Sequence, residues 1–395
     1  MKFWRRWVRI GLRIGMTGAL LGAVLLGALV AWLWIAHSRA VTLPAPAGPY
    51  AVGRTTYDWT DTARPDPFTL GTSRELLVWV WYPAAPAPGA APAPYMSPAW
   101  AKLRASGVGA LFYQRADRVS VHAVAAAPLA PAQDRYPVLI LEPGLGRNPI
   151  DYTTIAEDLA SRGYIVAGIF PTDSTDVLFP NGRVVRSVNA ARDGAAFDQL
   201  VSVWAGDVRF VLDRLTALNS TPGDRFAGHL DLDRLGVFGH SFGGATAAEF
   251  CRIDTRCKAG ADLDGTPFGT VAQTGLPQPF LFIDGDEDWI GSCNADCAEN
   301  RQGIATIVAS APTDHVALIV GGAHHFNFSD LAVTFFPLGR PLGLIGPIDG
   351  ARGLQITTTY LAAFFGHYLQ QRATPLLDGP SPSYPEVRSV PSGGQ

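Results

Sequence analysis

Ser241 lies in Gly239-His240-Ser241-Phe242-Gly243, between a short apolar run (235–238) and a run of small residues (243–251). A serine framed this way suits a sharp strand-to-helix turn. Its backbone is strained there, and small flanking residues avoid clashes. The hydroxyl then stands clear of the sheet, and the N–H of Phe242 can face the oxygen of an attacked carbonyl. The chain has 42 glycines, so the pentapeptide alone also fits an ordinary glycine-rich turn. The strand signal before it and the helix signal after it mark it as a nucleophile's position.

A serine nucleophile needs a base, and the base needs an acid to orient it. On such an elbow the chain order is serine, then acid, then histidine. Of the 8 histidines, His37, His122 and His229 come before Ser241, and His240 reads as structural. His315 begins a strand and His367 lies in a helix, which leaves His324 and His325 in the loop after the apolar run 316–320. Two positions can supply the acid. Asp264 ends Ala261-Asp262-Leu263-Asp264-Gly265, and Asp288 ends Asp284-Gly285-Asp286-Glu287-Asp288. Residue types leave both open. A second oxyanion donor is expected from Gly144-Leu145-Gly146, as the N–H of Leu145. No cofactor and no metal is expected. A calcium loop starting at Asp284 would need glycine and glutamate where Trp289 and Ala295 stand, and the Gly-x-Gly lacks the rest of a phosphate loop.

Alternating strands and helices must position these groups. Strands are expected at 50–58, 76–82, 137–142, 164–170, 234–238, 260–264, 279–284 and 315–321. The run 137–142 is almost continuously apolar, as in a strand covered on both faces. Helices are expected at 150–162, 243–251 and 355–371. The clearest is 197–218, where Phe197, Leu200, Val201, Trp204, Val208, Val211, Leu212, Leu215 and Leu218 recur at three- and four-residue spacing. This stripe reads as core. Strand, helix and strand within a short span imply a parallel sheet, hence one α/β domain over 50–372 with helices on both faces. From 373 to 395 the chain is rich in Pro, Ser and Gly, and a flexible tail is expected.

The N-terminus differs from the rest. Lys2, Arg5, Arg6, Arg9 and Arg13 form a basic segment (1–13), followed by an uncharged run, 14–36, with Trp32 and Trp34 at its far end. As a helix that run is about 34 Å long, enough for a hydrocarbon core of about 30 Å. A membrane-spanning signal-anchor is expected, with the basic end in the cytoplasm and the domain outside. The alternative is secretion after cleavage behind Ser38-Arg39-Ala40. Residues 37–49 read as a linker. Formal net charge is −3, with no basic stripe past the anchor, so no nucleic-acid partner is expected. Oligomeric state is not legible. Cys251, Cys257, Cys293 and Cys297 fall in two close pairs. Two local disulfides fit an oxidising compartment, whereas the gap between Cys251 and Cys257 is too wide for a zinc site.

With these residues assembled, the chain resembles the platelet-activating factor acetylhydrolase family of α/β-hydrolases over about 50–372. The resemblance rests on Gly144-Leu145-Gly146, the stretch 158–167, Gly239-His240-Ser241-Phe242-Gly243-Gly244-Ala245-Thr246, Leu263-Asp264-Gly265 and His325-x-x-Phe328-Ser329-Asp330. It implies that Asp264 is the acid and that His325, not His324, is the base. It also implies a cofactor-free serine esterase for short or oxidised sn-2 acyl esters of phospholipids. Two features depart from the family. Pro143 stands where histidine is common, and the loop 284–297 is closer to cutinase-type polyester hydrolases, which keeps a lipase or polyesterase open. A catalytically silent binding protein on the same scaffold is a third possibility, and the intact set of reactive residues argues against it.

Overall fold

The apolar run around Val138 forms a strand, Tyr136–Glu142, buried along its whole length. Successive side chains point to opposite faces. Leu139 and Leu141 pack with Leu159, Leu361 and Phe365, while Val138 and Ile140 pack with Val208, Val211 and Leu215. Both faces are therefore covered by helices, and the strand has no polar side.

We describe a computed structural model, which covers residues 2–105, 107–188, 194–287, 289, 295–311 and 314–390. The strands of its main sheet are β1 (Ala51–Pro65), β2 (Ser73–Ala84), β3 (Val124–Ala125), β4 (Tyr136–Glu142) and β5 (Ile165–Phe170). They continue with β6 (Leu230–His240), β7 (Cys257–Leu263), β8 (Phe280–Gly285), β9 (His315–Val320) and β10 (Val387–Ser389). The spatial order of this 10-stranded sheet is β10-β9-β8-β7-β6-β4-β5-β2-β1-β3. From β5 to β9 every neighbouring pair is parallel, and β2 joins β5 antiparallel. This is the α/β-hydrolase arrangement expected from the sequence.

The main helices are α1 (Lys2–His37), α2 (Thr153–Ser161), α3 (Gly194–Asn219), α4 (Phe242–Ile253), α5 (Ala295–Ser310) and α6 (Gly350–Gln370). The apolar stripe of α3 faces the core: Leu200, Val201, Trp204, Val208, Val211, Leu212 and Leu215 are buried. α6 starts before residue 355 because Asp349 caps it, accepting the N–H of Arg352 at 2.9 Å.

Two expectations about the ends need correction. The supposed linker 37–49 is docked on the domain. Val41–Thr42 pairs in parallel with Val119–Ser120, and Asp158 Oδ1 and Ser161 Oγ accept the N–H groups of Ala47 and Gly48. The supposed flexible tail supplies β10, an antiparallel edge strand on β9. Just before it, Glu386 takes the Arg352 guanidinium in two bonds of 2.8 and 2.9 Å. An edge strand needs only backbone groups on one side, so a Pro- and Ser-rich segment can provide one.

One described helix is long and apolar enough to cross a membrane, over Gly11–His37, with mean hydropathy 2.3. Most of it stands clear of the domain, but Leu33 and His37 are buried, and the Trp32 ring meets Phe335 edge-on at 6.0 Å. A disulfide joins Cys251 at the end of α4 to Cys257 at the start of β7. Cys297 is disulfide-bonded as well, and Cys293 lies outside the described residues.

Candidate active site

Ser241 occupies the turn between β6 and α4 at φ 57° and ψ −125°. A non-glycine residue held there costs on the order of 1–3 kcal/mol, so the surroundings must impose the conformation. Two glycines show how. A Cβ on Gly239 would lie 2.2 Å from the Gly243 carbonyl carbon, and one on Gly243 would lie 2.2 Å from the Glu142 carbonyl oxygen. Only glycine lets α4 begin this close to β6 and β4. The Ser241 N–H donates to the Leu263 carbonyl at 2.9 Å, and its carbonyl accepts from Gly244 and Ala245. Its side chain makes no capping hydrogen bond.

Asp264 follows β7 directly, also with positive φ, at 56°. Its Oδ1 accepts the Gly285 N–H at 2.6 Å, and its Oδ2 lies 2.7 Å from His325 Nδ1. Both carboxylate oxygens are thus engaged, and the imidazole presents Nε2 away from the acid. His324 turns elsewhere, with Nδ1 on the Gly343 carbonyl at 2.7 Å. The structure therefore brings Asp264 to His325 and not to His324. Asp286 is engaged by the Gly322 N–H, and Asp288 lies outside the described residues. No hydrogen bond joins Ser241 to His325 in this arrangement.

Burial works to lower the His325 pKa and to raise that of Asp264. Their mutual hydrogen bond and charge outweigh it in both cases, with Glu287 helping at His325 and the Gly285 N–H at Asp264. The histidine is held above its ordinary value and the carboxylate below its own.

The expected oxyanion loop is fixed at three points. The Gly144 N–H donates to Tyr152 Oη at 3.0 Å, the Gly146 N–H to Ser174 Oγ at 2.6 Å, and the Arg147 N–H to the Gly144 carbonyl at 2.9 Å. No hydrogen bond among the described residues engages the N–H of Leu145 or of Phe242. These are the two groups expected to face a developing oxyanion.

His240 proves to be a structural link between the halves of the site. Burial, followed by the charges of His325 and Arg147, pushes its pKa down to about 3, although Asp264 and the His325 carbonyl favour protonation. The ring is therefore neutral. Its Nε2–H donates to the His325 carbonyl at 2.7 Å, and its Nδ1 accepts from the Tyr152 hydroxyl at 2.8 Å. A chain of hydrogen bonds thus runs from Gly144 through Tyr152 and His240 to the backbone of His325. The sequence reading missed Tyr152, and no motif marks it. It also passed over Glu287 as one acid among several. Glu287 Oε1 accepts the His325 N–H at 3.0 Å, which pins the start of the 3₁₀ turn His325–Phe328.

The assembly can perform acyl transfer: a hydroxyl on a half-buried, strained turn, a carboxylate-oriented imidazole, and two N–H groups without a partner among the described residues. Comparisons with known proteins agree with that chemistry. Residues 35–177 and 200–374 match the family described as platelet-activating factor acetylhydrolase, isoform II. A probable 1-alkyl-2-acetylglycerophosphocholine esterase of Arthroderma benhamiae is 28% identical over 382 residues, spanning 87% of this chain and 92% of that protein. The platelet-activating factor acetylhydrolase of Cavia porcellus is 26% identical over 266 residues, spanning 60% of this chain and 58% of that one. Among solved structures, a ferulic acid esterase from Streptomyces cinnamoneus superposes with a TM-score of 0.76 at 33% identity, covering 89% of this chain and 100% of that one.

Proposed function

The chain belongs to the platelet-activating factor acetylhydrolase, isoform II, family and is a carboxylic-ester hydrolase, and from that premise we propose that it cleaves short or oxidised sn-2 acyl esters of phospholipids through Ser241, His325 and Asp264. The observation that carries the reading is the 2.7 Å pair between Asp264 Oδ2 and His325 Nδ1, set beside the strained elbow of Ser241.

In this reading Ser241 Oγ attacks the ester carbonyl while His325 Nε2 takes its proton. The carbonyl oxygen becomes an oxyanion and accepts from the N–H groups of Leu145 and Phe242. The imidazolium, stabilised by Asp264, then protonates the leaving alcohol, and an acyl-serine remains. Water repeats the sequence and releases the acid. Asp264 keeps the histidine in the tautomer with Nδ1–H, so that Nε2 is free to accept.

The pH dependence follows. His325 acts as base only when neutral, and its pKa is raised above the ordinary value of 6.5. Activity is therefore absent at low pH and rises with pH through a midpoint above 6.5. A kcat/KM profile with p-nitrophenyl acetate measures it, and a midpoint below 6.5 contradicts the assigned environment.

α1 is read as a signal-anchor that leaves the catalytic domain outside the cytoplasm. The Cys251–Cys257 bridge supports an oxidising compartment. The contact of Trp32 with Phe335 supports a site held near the membrane, since Phe336 next to it meets Phe326, the neighbour of His325. A phospholipid substrate suits that placement. The second reading, an esterase for ferulic acid esters, is favoured by the 33% identity to the Streptomyces cinnamoneus enzyme. Purified full-length protein in detergent, given dibutyrylphosphatidylcholine, methyl ferulate and p-nitrophenyl esters of rising chain length, separates the two. Higher kcat/KM on the phospholipid and on acyl chains of two to four carbons is expected. A preference for methyl ferulate overturns the substrate assignment while leaving the triad intact.

A further inference from the structure

The oxyanion loop ends in Arg147, two residues after Leu145, and the catalytic reading gives this residue no task. Its guanidinium lies over the Phe326 ring, 4.6 Å from the centroid, and that ring is 5.2 Å from the ring of His325. The backbone is fixed, because the N–H groups of Gly146 and Arg147 are held by Ser174 and Gly144. No carboxylate among the described residues forms an ion pair with it. Glu287, the acid beside His325, directs its oxygens to the His325 N–H at 3.0 Å and to His324 Nδ1 at 3.4 Å. A half-buried cation on a rigid loop, stacked on an aromatic ring and without an ion-pair partner among the described residues, is poised for an anion from outside. Elsewhere Arg74 pairs with Asp207 and Asp173 and Arg104 with Asp151, while Arg54, stacked on Trp79, donates to the Pro94 and Tyr95 carbonyls.

The position says which part of a substrate arrives there. The leaving oxygen must reach His325 Nε2 to be protonated, so the alcohol half of the ester lies on the histidine side of Ser241. Arg147 stands on that side, one aromatic ring away. In a glycerophospholipid the phosphorus is four bonds from the sn-2 ester oxygen, so the phosphodiester travels with the alcohol half toward the histidine side. We propose that Arg147, stacked on Phe326, is the subsite for the phosphodiester of the leaving lysophospholipid. It would donate to the non-bridging oxygens with its planar fork of N–H groups. The proposal rests on the phospholipid reading above and adds to it the group that tells a phospholipid from a neutral ester.

The test compares dibutyrylphosphatidylcholine with tributyrin, which has the same acyl chains and no phosphate, both as monomers in solution. Losing a charge-assisted hydrogen bond to phosphate typically costs about 10- to 100-fold. Arg147→Gln is expected to lower the ratio of kcat/KM for the phospholipid over tributyrin by about that factor, mainly through KM. Arg147→Lys keeps the charge without the stacking plane and should recover part of the ratio. An equal loss on both substrates, with an unchanged ratio, assigns Arg147 to holding Phe326 and the loop and overturns the subsite. Phospholipid hydrolysis insensitive to both substitutions overturns it as well, leaving the phospholipid reading in place. A wild-type enzyme that cleaves tributyrin and not the phospholipid overturns the substrate reading, and the subsite falls with it.

Discussion

Ser241→Ala is expected to lower hydrolysis of p-nitrophenyl acetate by on the order of 10⁵- to 10⁶-fold, with the fold intact. The size follows from the role. Without the hydroxyl no acyl-enzyme forms, and only the oxyanion donors and substrate binding are left to assist water. That the protein survives follows from the structure. The strain at φ 57° is imposed by contacts of Gly239 and Gly243, neither of which changes. The Ser241 hydroxyl caps nothing at the start of α4. Alanine keeps the Cβ, so the stability change should stay within about 0.5 kcal/mol. The same substitution should end labelling by a fluorophosphonate probe. A variant that retains turnover or labelling would remove Ser241 as the nucleophile, and a wild-type protein that turns over ester yet resists the probe would argue against a serine nucleophile altogether.

The parts of this site that were readable from the chain are those whose constraints are local. Gly239 and Gly243 are needed because backbone meets backbone within one turn, so the elbow shows as a pentapeptide. The α3 stripe and the apolar run of β4 report burial through periodicity, which needs no knowledge of partners. Tyr152 and His240 are different. They lie 88 positions apart, and their pairing depends on how β4 and β6 are placed side by side. Glu287 sits in a loop with several acids, and only the fold selects which of them reaches the His325 backbone. At the C-terminal end the misleading signal was compositional. Pro, Ser and Gly around residues 379–393 suggested a loose tail, yet three residues pairing along one edge of β9 suffice for a strand. The docking of residues 41–48 was hidden for the same reason, since its bonds run from backbone groups to Asp158 and Ser161.

The acid is where sequence reasoning stood most divided, and Asp264→Asn is the substitution that divides the alternatives. In the structure Asp264 Oδ1 accepts from the Gly285 N–H and Oδ2 faces His325 Nδ1. An asparagine of the same shape can keep the Gly285 bond with its carbonyl oxygen, which turns its NH₂ toward the imidazole. An NH₂ group donates, so Nδ1 must become the acceptor and the ring proton moves to Nε2. The nitrogen that should take the Ser241 proton is then already protonated. A loss of about 10⁴-fold in kcat is expected for this tautomer error, with little change in KM. The pH profile should also move. Asp264 is the chief influence raising the His325 pKa against burial, so the residual activity should appear at lower pH than in the wild type. Stability carries a sign of its own. The Asp264 pKa is lowered in the fold, so its ionised form stabilises the native state at neutral pH, and this contribution is lost as pH falls through the folded-state value. The wild type and the asparagine variant should therefore differ in melting temperature at pH 7 and converge in acid. Asp288→Asn, made in parallel, should leave kcat within about twofold when Asp264 is the acid that orients the imidazole. If Asp288→Asn were inactive and Asp264→Asn active, the imidazole would take its orientation from the loop after β8, and the 2.7 Å pair between Asp264 and His325 would be a bystander to the chemistry.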